Sequence, residues 1–102
     1  MDLSEFGRFS DPSLLILASL AGGEKHGYAI MEDIEKMAGI RLGAGTLYGA
    51  LSRLEQAGLI EALPADERRR PYRLTALGAA SLRQVLTSLE KFVSVGLKRL
   101  TA

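Results

Sequence analysis

The sequence predicts a mainly α-helical fold with a small β-hairpin: a winged helix-turn-helix followed by a long C-terminal dimerisation helix. Three observations predict it. Three short helical segments precede two extended ones, the turn between the extended segments leads into Arg68-Arg69-Arg70, and the chain closes on a long amphipathic stretch from about Ala76 to Leu100. Helix, helix, helix and hairpin is the element order of a winged helix-turn-helix.

Asp11-Pro12 starts the first helix, because Asp caps free amides and Pro is tolerated at the first helical position. Ala21-Gly22-Gly23 ends it. Its segment Leu14 to Leu20 is apolar nearly all round, which predicts burial on more than one side and a partner surface over part of it. The second helix runs from near His26-Gly27-Tyr28 to about Met37 and closes at Gly39; the third runs from Ala44 or Gly45 to Gly58, where a left-handed glycine caps a C-terminus. Leu59 to Leu63 and Arg70 to Thr75 read as strands around the turn Pro64 to Glu67, with Pro71 marking the second strand as an edge. Thr75 is placed to cap the last helix, which at 1.5 Å per residue is roughly 35 Å long.

The chain has 102 residues, which fits one compact unit, divided here into a DNA-binding part, 1–75, and a dimerisation helix, 76–102. A hydrophobic fraction of 47% with 25% charged residues predicts a chain that folds. The absence of cysteine excludes disulfides and thiolate metal sites, and the single histidine, His26, cannot build a histidine cluster, so no metal or cofactor is expected. The apolar runs are far shorter than the roughly 20 residues that span a bilayer, and Met1 to Glu5 carries no basic region before an apolar stretch, so a cytoplasmic protein without a membrane partner is expected. Neither a Ser/His/Asp set, nor a glycine-rich phosphate loop, nor a suitable carboxylate pair is present, so no catalytic residue is nominated.

Thirteen basic and 12 acidic residues leave a formal charge of only +1. The segment Arg41 to Arg73 holds six basic and four acidic residues, a small local excess for nucleic acid. Placement is more informative. At 100° per residue the third helix sets Leu47, Ala50, Leu51 and Leu54 on one face and Gly45, Gly49, Ser52 and Gln56 on the other, flanked by Thr46, Tyr48 and Arg53. Small residues there allow close approach to a groove; Thr46, Tyr48 and Ser52 can donate to phosphates, and Arg53 can meet phosphate or guanine. Arg68, Arg69 and Arg70 at the hairpin suit backbone or minor-groove contact, while Lys25, His26 and Tyr28 sit where the start of the second helix can face a phosphate.

A homodimer is expected on geometric grounds. Leu82, Leu86, Leu89, Val93 and Leu100 follow steps of four and three with Gly96 in one gap, and Phe92 widens the stripe. A helix that outruns its domain must bury its far end, and Leu14 and Leu17 of the first helix are assigned to the same interface. Two recognition helices about 34 Å apart across a two-fold axis require an approximately palindromic double-stranded DNA operator. The same fold also serves as a protein-protein interaction module, which the near-zero net charge favours.

Three stretches, HGYAI from His26, GTLYGALSRLEQAGLI from Gly45 and RRRPYRLTALG from Arg68, resemble the PadR-like transcriptional regulators, in particular the short subgroup with a single C-terminal helix. The resemblance implies a homodimeric repressor, no enzyme, with most dimer contact made by the C-terminal helix. It also implies that a small aromatic effector binds near the interface in some members; Phe6, Phe9, Leu14, Val85, Leu89 and Phe92 are the apolar candidates to line such a pocket. Where the family often has Ser-Pro before GTLY, this chain has Gly43-Ala44, so weaker capping of the recognition helix is expected.

Overall fold

The computed structural model describes residues 11–102, so the pocket candidates Phe6 and Phe9 lie outside the described residues. Helix α1 spans Pro12–Ala21, strand β1 Lys25–His26, α2 Gly27–Ala38, α3 Ala44–Gln56, β2 Ile60–Ala62, β3 Pro71–Leu74 and α4 Ala76–Thr101. The winged helix-turn-helix is therefore present, with one addition: the sheet has three antiparallel strands in the order β1-β3-β2.

Four of the helix ends have a clear local cause. Asp11 accepts from the Ser13 amide at 3.0 Å ahead of Pro12. Gly39 ends α2 in the left-handed region at φ 68°. At the end of α3 the Leu59 amide donates to the Leu54 carbonyl and the Gly58 amide to the Glu55 carbonyl, with Gly58 at φ 78°, the paired bonds of a Schellman motif. Thr75 closes the junction into α4: its Oγ1 accepts from the Gly78 amide at 3.0 Å and donates to the Gly58 carbonyl at 2.7 Å.

The core gathers Leu15, Ile16, Leu17 and Leu20 of α1 with Ile30 and Ile34 of α2, Leu47, Ala50, Leu51 and Leu54 of α3, Ile60 and Leu82. Helix α1 runs through its middle. That corrects the expectation that its all-round apolarity calls for a partner: α2, α3, β3 and α4 of the same chain cover it, and Leu15, Ile16, Leu17, Ser19 and Leu20 are all buried. Leu17 and Leu82, assigned above to a dimer interface, are accordingly buried inside this chain, and Leu14 is half-buried against the core.

Pro71 also departs from expectation. It starts the central strand β3, not an edge, with His26 opposite it on β1 and Tyr72 opposite Lys25. Proline is tolerated because the first residue of a strand can forgo a ladder donor, while the Pro71 carbonyl still accepts from the Leu63 amide at 2.9 Å.

Beyond its first two turns α4 leaves the body. Only Gly78 and Leu82 are buried along it, whereas Val85, Leu86, Phe92, Val93, Leu97 and Leu100 are exposed, Phe92 by 74% and Leu100 by 83%. Twenty-six residues make a rod of about 39 Å, and the molecule extends over 55 × 30 × 20 Å. Among the described residues no helix is long and apolar enough to cross a membrane.

Candidate nucleic-acid interface

Helix α3 turns its apolar face to the core and presents Gly45, Thr46, Ser52, Arg53 and Gln56 to solvent. Its N-cap, Gly43, has extended backbone but no side-chain hydrogen bond, the weak capping expected of Gly43-Ala44. The glycines of this outer face, Gly45 exposed and Gly49 half-buried, are not required by close packing. A β-carbon at Gly45 would meet nothing within 4 Å, and one at Gly49 would meet only the Arg53 guanidinium at 3.6 Å. Each nevertheless weakens an isolated helix by about 0.5–1 kcal/mol relative to alanine.

Tyr48 leaves this face and leans toward the start of α2. Its ring covers Gly27 so closely that a β-carbon there would lie 2.4 Å from the Tyr48 hydroxyl oxygen and 2.9 Å from the ring carbon that bears it. Gly27→Ala is therefore expected to swing the half-exposed Tyr48 ring outward with a change in stability of no more than about 1 kcal/mol, since a mobile side chain yields and not backbone. A shift of the Tyr48 ring resonances in NMR spectra with little change in thermal midpoint checks this.

Tyr48 forms one wall of a cleft of about 330 Å³ between α3, the start of α2 and the wing. His26, Tyr28, Arg68, Arg69, Arg70 and Tyr72 line the rest, so the structure brings together six of the ten residues nominated for DNA contact or positioning, counting Tyr48, and adds Tyr72. Tyr72 was legible in principle: on β3 it alternates with exposed Arg73 and shares the inward side with Leu74. Burial, then the charges of Glu55 and Tyr48, raise the pKa of its phenol above the usual 10.0 against an opposing effect of Arg70, so it is a neutral donor at physiological pH.

The wing tip is a tight turn in which the Asp66 and Arg69 backbones exchange hydrogen bonds of 2.8 and 2.9 Å, with Glu67 at φ 58°. Arg69 reaches back to His26, its Nη1 lying 3.4 Å from Nε2, while Nδ1 of the same ring faces the Ala29 amide at 3.4 Å as the N-cap of α2. A neutral imidazole accepts at one nitrogen only, so the cap and the wing contact draw on alternative tautomers. Arg73 pairs with Glu61 across β2 and β3, but Arg68, Arg69 and Arg70 have no ion-pair partner among the described residues.

Lys25 departs from its expected place. Its ammonium donates to the Ser19 carbonyl at 2.6 Å and the Gly23 carbonyl at 3.2 Å and stands 3.9 Å from Asp33, which accepts from the Ser19 hydroxyl at 2.7 Å. A cation satisfying one carbonyl in the last turn of α1 and one just past its end is a helix cap, so Lys25 holds α1 to α2 and is not free to meet a phosphate.

The model of the PadR-like transcriptional regulator family matches residues 16–84. A transcriptional regulator of Mycobacterium tuberculosis is 40% identical over 81 residues, covering 76% of this chain and 75% of its own. An uncharacterized 37.1 kDa protein in a transposon of Streptomyces fradiae is 44% identical over 84 residues, 82% of this chain, which spans only 24% of that protein's length. Among solved structures, a PadR family transcription regulator from Clostridium difficile superposes with a TM-score of 0.74 at 25% identity, covering 89% of this chain and 98% of the other.

Proposed function

The chain belongs to the PadR-like transcriptional regulator family, a family of regulators and not of enzymes, and from that premise we propose that it is a homodimeric, sequence-specific DNA-binding repressor. The observation that carries the proposal is the outer face of α3: two glycines that no described neighbour requires, beside Thr46, Ser52 and Arg53 and next to a wing whose three arginines have no acidic partner among the described residues. In this reading residues 1–75 bind DNA. Thr46, Ser52 and Arg53 enter the major groove, Arg68, Arg69 and Arg70 follow the flanking backbone, and His26, Tyr28 and Tyr48 position the start of α2 against it.

Residues 76–102 supply the dimer contact. Leu86, Phe92, Val93 and Leu100 are exposed along α4 and Leu89 is half-buried, an apolar stripe that a second copy would cover. Leu86→Glu combined with Phe92→Glu is expected to give a folded monomer by sedimentation where the wild-type chain sediments as a dimer. A two-fold dimer of this kind binds an approximately palindromic operator in the cytoplasm. A small aromatic effector that relieves repression fits Val85 and Phe92, exposed apolar side chains on α4; Phe92→Ala is the variant that removes this candidate.

Arg53→Ala tests the DNA reading. A lost base contact removes about 1–3 kcal/mol of discrimination, so the preference for a selected duplex over a scrambled one is expected to fall by roughly 5- to 150-fold. Replacing Arg68 and Arg69 with alanine should instead weaken binding to all duplexes and reduce the salt slope by about 2. An unchanged preference in the first case, or an unchanged slope in the second, contradicts the role assigned.

A further inference from the structure

The chain contains three tyrosines and no tryptophan, and Tyr28, Tyr48 and Tyr72 all line the cleft between α3 and the wing. Arg68, Arg69 and Arg70 line it too, without an acidic partner among the described residues. The composition of this wall is specific. Guanidinium groups offer charge and paired N–H donors, phenol hydroxyls offer neutral donors, and the first turn of the 12-residue helix α2, which contains no acidic side chain, opens at Gly27. Neither the Tyr48 nor the Tyr72 hydroxyl is hydrogen-bonded to another described residue. The seat of Tyr48 is built into the backbone, because only glycine at position 27 leaves room for its ring. Tyr72 is fixed from the other side by pairing of β3 with both β1 and β2.

Resting on the DNA-binding reading above, we propose that this cleft is a socket for a single phosphodiester of the bound duplex. The Tyr48 and Tyr72 hydroxyls donate to its oxygens and Arg70 supplies the charge, so that α3 and the wing close on one phosphate. At about 330 Å³ the cleft is large enough to admit a phosphate with its ester links. Glu55 stands near Tyr72 and favours the protonated phenol, which keeps that donor in place. The socket sets the distance between the base-reading face of α3 and the backbone, and makes Tyr72, absent from any base contact, a determinant of affinity.

The two kinds of donor give different signatures. Tyr48→Phe and Tyr72→Phe each remove one hydroxyl while keeping the ring, and each is expected to lower affinity about tenfold with no change in salt slope, since no charge is lost. Arg70→Gln is expected to lower affinity and reduce the slope by about 1. The deciding experiment takes a duplex recovered by selection from random sequence and replaces its phosphates one at a time with uncharged methylphosphonates. The wild-type protein is expected to lose about tenfold or more at one position in each half-site, and the Tyr48→Phe, Tyr72→Phe double variant to lose much less there and as much as wild type elsewhere. Equal losses for both proteins at every position would overturn the socket while leaving DNA binding intact. Failure of selection to enrich any duplex would overturn instead the DNA reading on which it rests.

Discussion

Gly78→Ala is expected to destabilise the protein by about 3 kcal/mol or more, the largest loss of any glycine-to-alanine change among the described residues. A β-carbon at this position would lie 2.0 Å from the Leu59 carbonyl oxygen, 3.0 Å from the Leu59 carbonyl carbon and 2.8 Å from a methyl of Leu74. The carbonyl cannot move aside cheaply, because it already accepts from the Thr75 amide at 3.1 Å, and Thr75 in turn bonds the Gly58 carbonyl and caps α4. One methyl therefore pushes apart the end of α3, the start of β2 and the root of α4. Urea unfolding of the two proteins measures the difference; a loss below about 1 kcal/mol would mean that α4 pivots freely on the wing. Gly27→Ala is the internal control, since the atom it meets belongs to a half-exposed side chain.

Gly49→Leu is expected to move stability and binding in opposite directions. In a helix interior leucine is favoured over glycine by up to about 1 kcal/mol, and a β-carbon at Gly49 would meet only the Arg53 guanidinium, at 3.6 Å, so the variant should unfold at a higher urea concentration. On the proposed reading the same side chain stands between α3 and the floor of the groove. It should weaken specific DNA binding by a hundredfold or more, because the helix must withdraw or tilt and Arg53 and Ser52 lose their reach. A stabilised variant with undiminished binding would place the DNA elsewhere on the surface. A destabilised variant would mean that Gly49 packs against something within the fold.

The parts of the fold legible in the sequence are those with local causes. Asp11-Pro12, Gly39, Gly58 and Thr75 mark helix ends through bonds that reach no more than a few residues, and all four act at those ends in the structure. Strand β1 was not legible, because two residues carry no periodicity and Lys25 and His26 become a strand only by pairing with Tyr72 and Pro71 more than 40 positions away. That pairing also turned Pro71 from an edge residue into the start of the central strand. The apolar excess of α1 was visible, but its consequence was not: Leu17 is covered by this chain itself. At the site, hydrophobic spacing separates the inner and outer faces of α3, yet the direction of Tyr48 depends on the absence of a side chain at Gly27, on another helix. Lys25 looked like a phosphate ligand from its place before α2, and the competing carbonyls of Ser19 and Gly23 are brought to it only by the turn after α1.

The most direct test of the central claim is a titration of the purified protein against duplex DNA from upstream of its own gene, with a scrambled duplex alongside, at two salt concentrations. A sequence-specific repressor is expected to prefer the upstream duplex and to lose affinity steeply as salt rises. Equal, weak binding to both duplexes, repeated with every duplex recovered from a random-sequence selection, would contradict it and identify the winged helix as a module for binding protein.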